Sequence, residues 1–281
     1  NPGMTLPPFQ DYESAFRYVS QQSQQERLVF VIDEYPYLAA GEPSISSILQ
    51  RCIDLFFNQG KCFIVLCGSS MSFMEQQVLN EKSPLYGRRT AQYKISPFSF
   101  QESCSYFASL YAEAKAIYFG VTGGVADYMT FIDPDRTVDD NIIRLYFERR
   151  GRLYEEPMNL LNQELRDPRL YNDILAAIAG GSSKNNEIGS KVQMTPANLN
   201  PYLRSLMELH IVGKILPAGH QGSKKPVYYL QDQMYRFWYR FVHPHRRYIE
   251  INQGAELYHA EVKDQLSAFR SEERRGRKEI R

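Results

Sequence analysis

The chain has 281 residues, enough for two cores, and 43% of them are hydrophobic and 23% charged. No apolar run approaches the roughly 18 residues that a membrane helix needs, so composition argues against a membrane protein. The formal net charge is only +1, but residues 171–247 hold 10 basic and 4 acidic side chains, which could attract a polyanion.

The amino terminus and the cysteines bear on the compartment. The first ten residues, NPGMTLPPFQ, have neither the basic nor the apolar region of a secretory signal. The four cysteines show no CxxC spacing, which argues against a zinc site and indicates reduced thiols: Cys52, Cys62, Cys67 and Cys104. We therefore expect a cytoplasmic protein.

Helical and strand patterns alternate over residues 1–98. The spacing of apolar residues predicts helices over 11–22 and 45–56, and strands over 28–32, 62–67 and 92–95. Continuous apolar runs that are separated by a helix are typical of parallel strands buried on both faces. The pattern predicts the α/β fold class for this part of the chain, with a doubly wound sheet.

The rest of the chain is mainly helical in pattern. Residues 99–170 predict a helical subdomain, and 171–232 predict three helices followed by a β-hairpin, the layout of a winged helix-turn-helix. Thr195 and Pro196 place a capping residue before a proline, which predicts a clean start for the third helix. In 233–269, the apolar side chains of MYRFWYRFV have helical spacing and predict a core seam rather than a platform for stacking bases.

Two adjacent acids end the first predicted strand. LVFVI is followed directly by Asp33 and Glu34, and acids at the carboxyl end of a buried parallel strand face the crevice where open α/β sheets bind ligands. In P-loop nucleotide hydrolases, an Asp at this place orients Mg²⁺ and a following Glu polarises the attacking water. The alternative is a structural pair that caps the next helix.

Polar and basic residues follow at the next strand ends. Ser69 and Ser70 come after the second strand, where a hydroxyl could sense a terminal phosphate. Arg88 and Arg89 precede the third predicted strand, and an arginine can neutralise charge on a transferring phosphoryl group. Each feature alone is common, but their order on consecutive strands favours a nucleotide site.

Several stretches together resemble the archaeal-type ATPase family of the AAA+/STAND group: FVIDEYPYLA, CGSSMSFME, SPLYGRRTAQYKISPF, YFGVTGGVADYM and MYRFWYRFV. The resemblance implies a P-loop ATPase with a helical lid (99–170), a winged helix (171–232) and the start of a nuclease-like region (233–269). It implies ATP and Mg²⁺ as cofactors, with Asp33 on the metal, Glu34 on water, Ser69 or Ser70 as phosphate sensor and Arg88 or Arg89 as finger. Ala126 stands where the family usually has proline.

The phosphate-binding loop GxxxxGK[ST] is missing from the chain. The only Gly-Lys pairs are Gly60-Lys61 and Gly213-Lys214, and neither continues the motif. Only 27 residues precede Leu28, too few for the strand and helix that carry this loop in the family. We therefore expect a fragment that does not bind ATP tightly by itself, and residues 270–281 resemble a non-native tail, with a native charge run as the alternative.

The predicted winged helix offers candidate contacts to DNA. The third helix would enter the major groove and the hairpin tip would lie along phosphate. The candidates are Lys184, Asn198, Asn200, Tyr202, Arg204, Lys224 and Lys225. A protein partner is the alternative occupant, and two readings of the whole chain remain beside the ATPase: a DNA-binding transcriptional regulator with a non-catalytic α/β scaffold, and a toxin-system or mobile-element module acting through protein contacts.

Overall fold

The computed structural model describes residues 8–69, 73–216 and 226–269. The chain divides into two compact units, residues 1–94 and residues 95–281. Both are rich in helix, and each contains one small two-stranded sheet. Three of the predicted site residues, Ser70, Lys224 and Lys225, lie outside the described residues, as does the tail 270–281.

The first unit alternates helix and strand, as the sequence predicts. Its elements are α1 (Tyr12–Gln25), β1 (Leu28–Ile32), α2 (Tyr35–Gly41), α3 (Ile45–Leu55), a 3-10 turn (Phe57–Gln59), β2 (Cys62–Leu66) and a π turn (Met74–Leu79). The carboxylate of Asp11 accepts a hydrogen bond from the Ser14 N–H at 2.7 Å, and the Ser14 hydroxyl accepts one from the Asp11 N–H. This capping box fixes the start of α1.

Strands β1 and β2 are parallel and pair residue for residue, from Leu28 with Cys62 to Ile32 with Leu66. The prediction that both faces are buried is wrong for the described residues. Val29 and Val31 are 58% and 52% exposed, and Phe63, beside Val29, is 49% exposed. Side chains alternate between the two faces of a strand, and α1 and α3 contribute to a core with Phe30 and Ile64 on the other face. One apolar face of the sheet is therefore bare.

The predicted third strand over 92–95 is also not observed. These residues have no strand pairing, and Tyr93 and Ile95 are 87% and 91% exposed. A strand is stabilised by hydrogen bonds to a neighbour, and no described residue provides one here. The alternation of apolar and polar residues over 92–95 is therefore present in the sequence, but these residues do not pair as a strand.

The second unit is mostly helical. Its elements are α4 (Phe100–Tyr106), α5 (Ala112–Thr122), α6 (Ala126–Thr130), α7 (Val138–Ile142), a π turn (Ile143–Phe147), α8 (Glu156–Glu164), α9 (Pro168–Ala179), α10 (Asn185–Lys191), α11 (Pro196–Glu208), β3 (Val212–Ile215), β4 (Val227–Leu230), α12 (Gln233–Phe237), a π turn (Trp238–Val242), a 3-10 turn (His243–His245), α13 (Arg246–Glu250), α14 (Gly254–Leu257), a π turn (Tyr258–Val262) and a 3-10 turn (Lys263–Gln265).

Helices α9, α10 and α11 are followed by the antiparallel pair β3 and β4, in the predicted order. Thr195 caps α11, since its hydroxyl accepts from the Asn198 N–H, and Pro196 is the first helical residue, as predicted. Residues 183 and 184 join the pair, because the Tyr228 N–H donates to the Ser183 carbonyl at 2.7 Å and Lys184 forms a bridge with Val227.

One buried cluster runs through the second unit, from Phe107 to Phe269. The predicted core seam is confirmed, because Phe237, Trp238, Phe241 and Val242 are each at most 2% exposed. The indole N–H of Trp238 donates to the Tyr154 carbonyl at 2.7 Å, which satisfies the one polar group of this buried ring. The side chains of 99–170, 171–232 and 233–269 therefore share a core.

The stretch GGVADYM forms a tight turn into α6. Gly124 has φ of +76°, and a Cβ at this position would lie 2.1 Å from the Phe98 carbonyl oxygen, so only glycine fits. Ala126 is the first residue of α6, so this helix begins without a proline. Within the described residues, none of the helices has the length and apolarity to cross a bilayer.

Candidate functional site

Asp33 and Glu34 form the turn between β1 and α2. The Asp33 carboxylate accepts a hydrogen bond from the Glu34 N–H at 2.9 Å. Glu34 has φ of 48° and ψ of 45°, a left-handed conformation that costs a non-glycine residue about 1 kcal/mol or more. Both side chains are exposed at the carboxyl end of the strand. Contacts with the end of the neighbouring strand β2 keep Glu34 in this strained conformation.

The ends of β1 and β2 are tied together by their backbones. The Cys67 N–H donates to the Ile32 carbonyl at 3.1 Å, and the Tyr35 N–H donates to the Cys67 carbonyl at 2.9 Å. The Ser69 hydroxyl then donates to a Glu34 carboxylate oxygen at 3.4 Å. The structure thus brings three predicted residues, Asp33, Glu34 and Ser69, to one edge of the sheet.

Gly68 allows this close approach. A Cβ on Gly68 would lie 2.4 Å from Cδ of Pro36, the second residue of α2. Any side chain here would push the β2 end away from the acid pair. The sequence indicates a small turn at this place, but the need for glycine follows from a contact between residues 32 positions apart.

The oxygen-rich edge suits a hard cation. Mg²⁺ takes oxygen ligands, and proteins usually hold it through one or two carboxylates, with water and substrate phosphates as the other ligands. Asp33, Glu34 and Ser69 fit that pattern. No group of three or more His, Cys, Asp or Glu side chains that could hold a metal occurs in residues 8–69, 73–216 and 226–269, so this edge is not a closed all-protein site.

Cys67 lies beside the acids but is not suited to be a metal ligand. Burial raises the pKa of its thiol above the usual value, and a hydrogen bond to Asp33 and the negative charges of Asp33 and Glu34 raise it further. A thiol must lose its proton to bind a metal or to act as a nucleophile. Cys67 therefore stays neutral at physiological pH.

The predicted arginines are engaged elsewhere. Arg88 pairs with Asp54 of α3 through two hydrogen bonds of 2.8 and 2.7 Å, and this contact lowers the pKa of Asp54. Arg89 donates to the Leu79 carbonyl at 2.9 Å. Among the described residues, no hydrogen bond or ion pair joins either arginine to the acid pair. The predicted finger is thus not assembled with Asp33 and Glu34.

The predicted DNA contacts on α11 do not share one face. Residues four apart lie within about 40° of each other around a helix, and residues two apart lie about 160° apart. Asn198 and Tyr202 therefore lie on one flank, and Asn200 and Arg204 lie on the other, with Leu199, Leu203 and Leu206 buried between them. A single groove contact cannot use all four side chains equally.

Several of these side chains already have partners. The Tyr202 ring packs on Tyr171, with centroids 5.0 Å apart. Asn200 accepts from the Asn185 amide at 2.7 Å, and Lys184 pairs with Glu187 at 3.2 Å. Arg204 is exposed, and within the part of the chain that the structure describes it has no hydrogen-bond or ion-pair partner. Arg204 is thus the most available cation of the predicted set.

Sequence reasoning missed Asp54 as the partner of Arg88 and Pro36 as the neighbour of Gly68. Each contact joins residues more than 30 positions apart, and neither residue carries a motif. Covariation between distant positions could have identified these two contacts, but a single sequence contains no covariation.

Two proteins of Methanocaldococcus jannaschii are similar in sequence. Uncharacterized protein MJECL04 is 29% identical over 250 residues, which are 86% of this chain and 53% of that protein. Uncharacterized protein MJ0424 is 34% identical over 55 residues, which are 20% of this chain and 53% of that protein. Each match spans about half the length of the relative. No family model and no solved structure matches the chain.

Proposed function

We propose that the chain is part of an ATP-binding ATPase of the AAA+/STAND type, in which nucleotide hydrolysis controls binding of DNA or a protein partner by a winged helix. The observation that carries the proposal is the acid pair at the carboxyl end of β1, joined to Ser69 at the end of the neighbouring parallel strand. A helix cap needs one carboxylate, and Glu34 makes no side-chain cap bond to α2.

The cofactors are Mg²⁺ and ATP, and each residue has a distinct role. Asp33 would hold the metal, and Mg²⁺ would neutralise charge on the phosphates. Glu34 would orient and polarise the attacking water, while Ser69 holds the Glu34 carboxylate at the strand end. Ser70 is a second candidate hydroxyl for the phosphate. Arg88 or Arg89 would supply positive charge to the terminal phosphate after release from Asp54 or Leu79.

The bare sheet face supports a longer parent protein. A parallel pair of strands is normally part of a larger sheet that is covered on both faces. Val29, Val31 and Phe63 are exposed on one face, and the predicted strand 92–95 has no neighbour. The chain also matches MJECL04 over only 53% of that protein. Additional strands that carry the phosphate-binding loop would account for both features.

The helical triad α9 to α11 with the β3–β4 hairpin is the proposed winged helix. Residues 171–232 hold 6 basic and 4 acidic side chains, and the four arginines of residues 233–247 bring the net charge of residues 171–247 to +6, which favours a polyanionic partner. Within α11, Arg204 is the best-placed contact to DNA phosphate. Lys224 and Lys225, which lie outside the described residues, remain candidate phosphate contacts from the sequence.

The cytoplasm is the proposed location. The four cysteines are free thiols, of which Cys52 is buried, and unpaired thiols are usual in a reducing compartment.

The test is Glu34→Gln in the longer parent protein. Loss of the general base should reduce ATP turnover by about 100-fold or more, while ATP binding with Mg²⁺ remains, because the amide keeps the shape of the side chain. Turnover and calorimetric binding are measured together. Glu26→Gln, at the entry to β1, is the matched control and should leave turnover unchanged.

Three results would reject this function. They are absence of turnover in the parent, full turnover in Glu34→Gln, and micromolar Mg-ATP binding by the 281-residue chain, which lacks GxxxxGK[ST]. Absence of turnover with intact DNA binding would favour the alternative, a DNA-binding transcriptional regulator whose α/β unit is a scaffold.

A further inference from the structure

A cavity of about 310 Å³, widely open to solvent, lies in the second unit, next to the loop between α6 and α7. Its wall includes the Phe131 ring, Asp133 and three arginines from separate places: Arg136 in the loop, Arg144 in the π turn after α7, and Arg152 before α8. Three guanidinium groups and one carboxylate give the lining a net charge of +2. All of these residues belong to one compact unit.

Asp133, the single acid of the lining, forms its ion pair with Arg136, and its charge also interacts with that of Arg144. The Arg136 Nε donates to the Asp133 carboxylate at 3.0 Å. Arg152 lies with its guanidinium carbon 4.8 Å from the centre of the Phe131 ring, a cation–π contact that leaves its charge uncompensated. Among the residues the structure describes, no carboxylate forms an ion pair with Arg144 or Arg152. The cavity is therefore short of negative charge.

The guanidinium group of Arg144 also has few hydrogen-bond acceptors among the described residues. Its Nη2 donates to the Phe131 carbonyl and to the Asn141 side chain, the latter at 3.2 Å. Its Nε is buried and has no hydrogen-bond partner. Because this Nε has almost no accessible surface, an anion in the cavity does not reach it, and both Nη2 hydrogens already have acceptors. Among the described residues Nη1 has no hydrogen-bond partner, so Nη1 is the part of the Arg144 guanidinium that remains for a phosphate oxygen.

The wall of the cavity is held in place by Asn141, which is completely buried. The Asn141 side chain accepts from the Asp133 N–H at 2.9 Å and donates to the Asp133 carbonyl at 2.8 Å and to the Tyr118 hydroxyl at 3.0 Å. The loop that carries Asp133 and Arg136 is thus tied to α5 and α7. A site that is formed before binding loses little freedom when a ligand enters.

We propose that this cavity binds the phosphate group of a small phosphorylated molecule, such as a phosphate monoester or a pyrophosphate. Arg144 and Arg152 hold the phosphate oxygens, and Arg136, already balanced by Asp133, adds charge at the edge. The site belongs to the second unit, whereas Asp33 and Glu34 belong to the first, and the proposal does not depend on the proposed ATPase.

Charge and size both favour this ligand class. A doubly charged phosphate balances the net +2 of the lining, whereas a single carboxylate balances half of it. Ligand pockets in proteins span roughly 300–1,000 Å³, so a cavity at the lower limit suits a small molecule. A phosphate at the end of a nucleic acid has the same chemistry, and the experiment below separates the two sources.

The experiment is calorimetric titration of the 281-residue chain with inorganic pyrophosphate. EDTA is present, so that no divalent cation at Asp33 can bind the probe. We expect binding at one site. Arg152→Gln should weaken it about tenfold or more, and Arg149→Gln, in the same segment but outside the lining, should leave it unchanged. Asp133→Asn should tighten binding about threefold by removing the one negative charge, a gain that misfolding cannot imitate.

A second titration uses an oligonucleotide with and without a 5′-phosphate. Preference for pyrophosphate over both oligonucleotides supports a small free ligand. Preference for the phosphorylated oligonucleotide, lost in Arg152→Gln, supports the same chemistry at a nucleic-acid end. The proposal is overturned by equal pyrophosphate binding in wild type and Arg152→Gln, or by no pyrophosphate binding at millimolar concentration together with equal affinity for the two oligonucleotides.

Discussion

Single side chains decide much of what the two units can do. Glu34 is held in a left-handed conformation beside a neighbouring strand, while Asp54 of α3 binds the Arg88 guanidinium that the sequence assigns to the phosphate. In the second unit, the half-buried side chain of Asp139 also has partners that are distant in the sequence. Its carboxylate accepts from the Tyr258 hydroxyl at 2.6 Å and from the Lys263 ammonium at 2.6 Å. This contact joins α7 to the carboxyl-terminal helices.

The Asp139 contact predicts a stability that depends on pH. Desolvation alone would raise the pKa of Asp139, but the hydrogen bonds from Lys263 and Tyr258 outweigh it and lower the pKa overall. A carboxyl group whose pKa is lower in the folded state stabilises the fold above its unfolded pKa of about 3.9. That contribution is lost as the pH falls through the folded pKa.

We therefore expect Asp139→Asn to reduce the free energy of unfolding by about 1–2 kcal/mol at pH 7. The difference from wild type should shrink at pH 3, below the unfolded pKa of about 3.9, because the unfolded chain then binds a proton at this carboxyl group more readily than the folded chain does. Urea unfolding at both pH values measures it, with Asp264→Asn as an exposed control. A difference that is equal at the two pH values would contradict this assignment.

At the scale of elements, α11 has one buried face and two flanks. Leu199, Leu203 and Leu206 form the buried face. The Thr195 hydroxyl, which caps the helix, and Pro196 determine where α11 begins. A helix that enters a groove contacts it with one side. Arg204 and Asn198 lie on different flanks of α11, so a single groove contact uses one of these residues and not the other. Arg204 is charged and has no hydrogen-bond or ion-pair partner among the described residues, and the opposite flank includes Tyr202, which packs on Tyr171.

If the proposed winged helix binds DNA through α11, Arg204→Ala should weaken binding and reduce the salt slope by about 1, because one phosphate contact is lost. Asn198→Ala, on the opposite flank, should change the affinity by less than about twofold. Fluorescence anisotropy at several salt concentrations gives both quantities. Unchanged binding in Arg204→Ala would instead favour a protein-docking role for the same helices.

At the scale of the whole molecule, the unpaired apolar surface of the first unit is the dominant feature. The exposed side chains of Val29, Val31 and Phe63 lie on the face of the sheet opposite its core. Burial of apolar surface drives folding, and an uncovered face of a parallel pair is an unstable arrangement unless another element covers it. The proposal of a longer parent accounts for this face.

The proposed parent predicts a difference between two proteins that carry the same substitution. Val31→Thr should cost less than about 0.5 kcal/mol in the 281-residue chain, where the side chain is exposed. In the longer parent it should cost about 1–2 kcal/mol, because a hydroxyl would then be buried without its own partner. Urea midpoints of both proteins measure the difference, and Ile32→Thr, at a buried position, should destabilise both. An equal small cost of Val31→Thr in the two proteins would show that no further element covers this face.

The sequence by itself determined the local elements. The apolar run 28–32 has the observed limits of β1, and the Thr195-Pro196 pair marks the observed start of α11, because strand propensity and capping depend on neighbouring residues. The seam at Phe237 and Trp238 was also predictable, since apolar residues at helical spacing form a buried face. The sequence also predicts Asp33 and Glu34 at the end of β1, because they directly follow the apolar run 28–32.

Only the tertiary structure decided which of these elements find a partner. The strand predicted at 92–95 has none, β1 and β2 are covered on one face, and Arg88 binds Asp54 instead of facing the acid pair. The arginines of the cavity, at positions 136, 144 and 152, carry no motif and meet because a loop and two turns fold around Asn141. Periodicity and capping are local properties, whereas pairing between distant residues depends on how the elements pack.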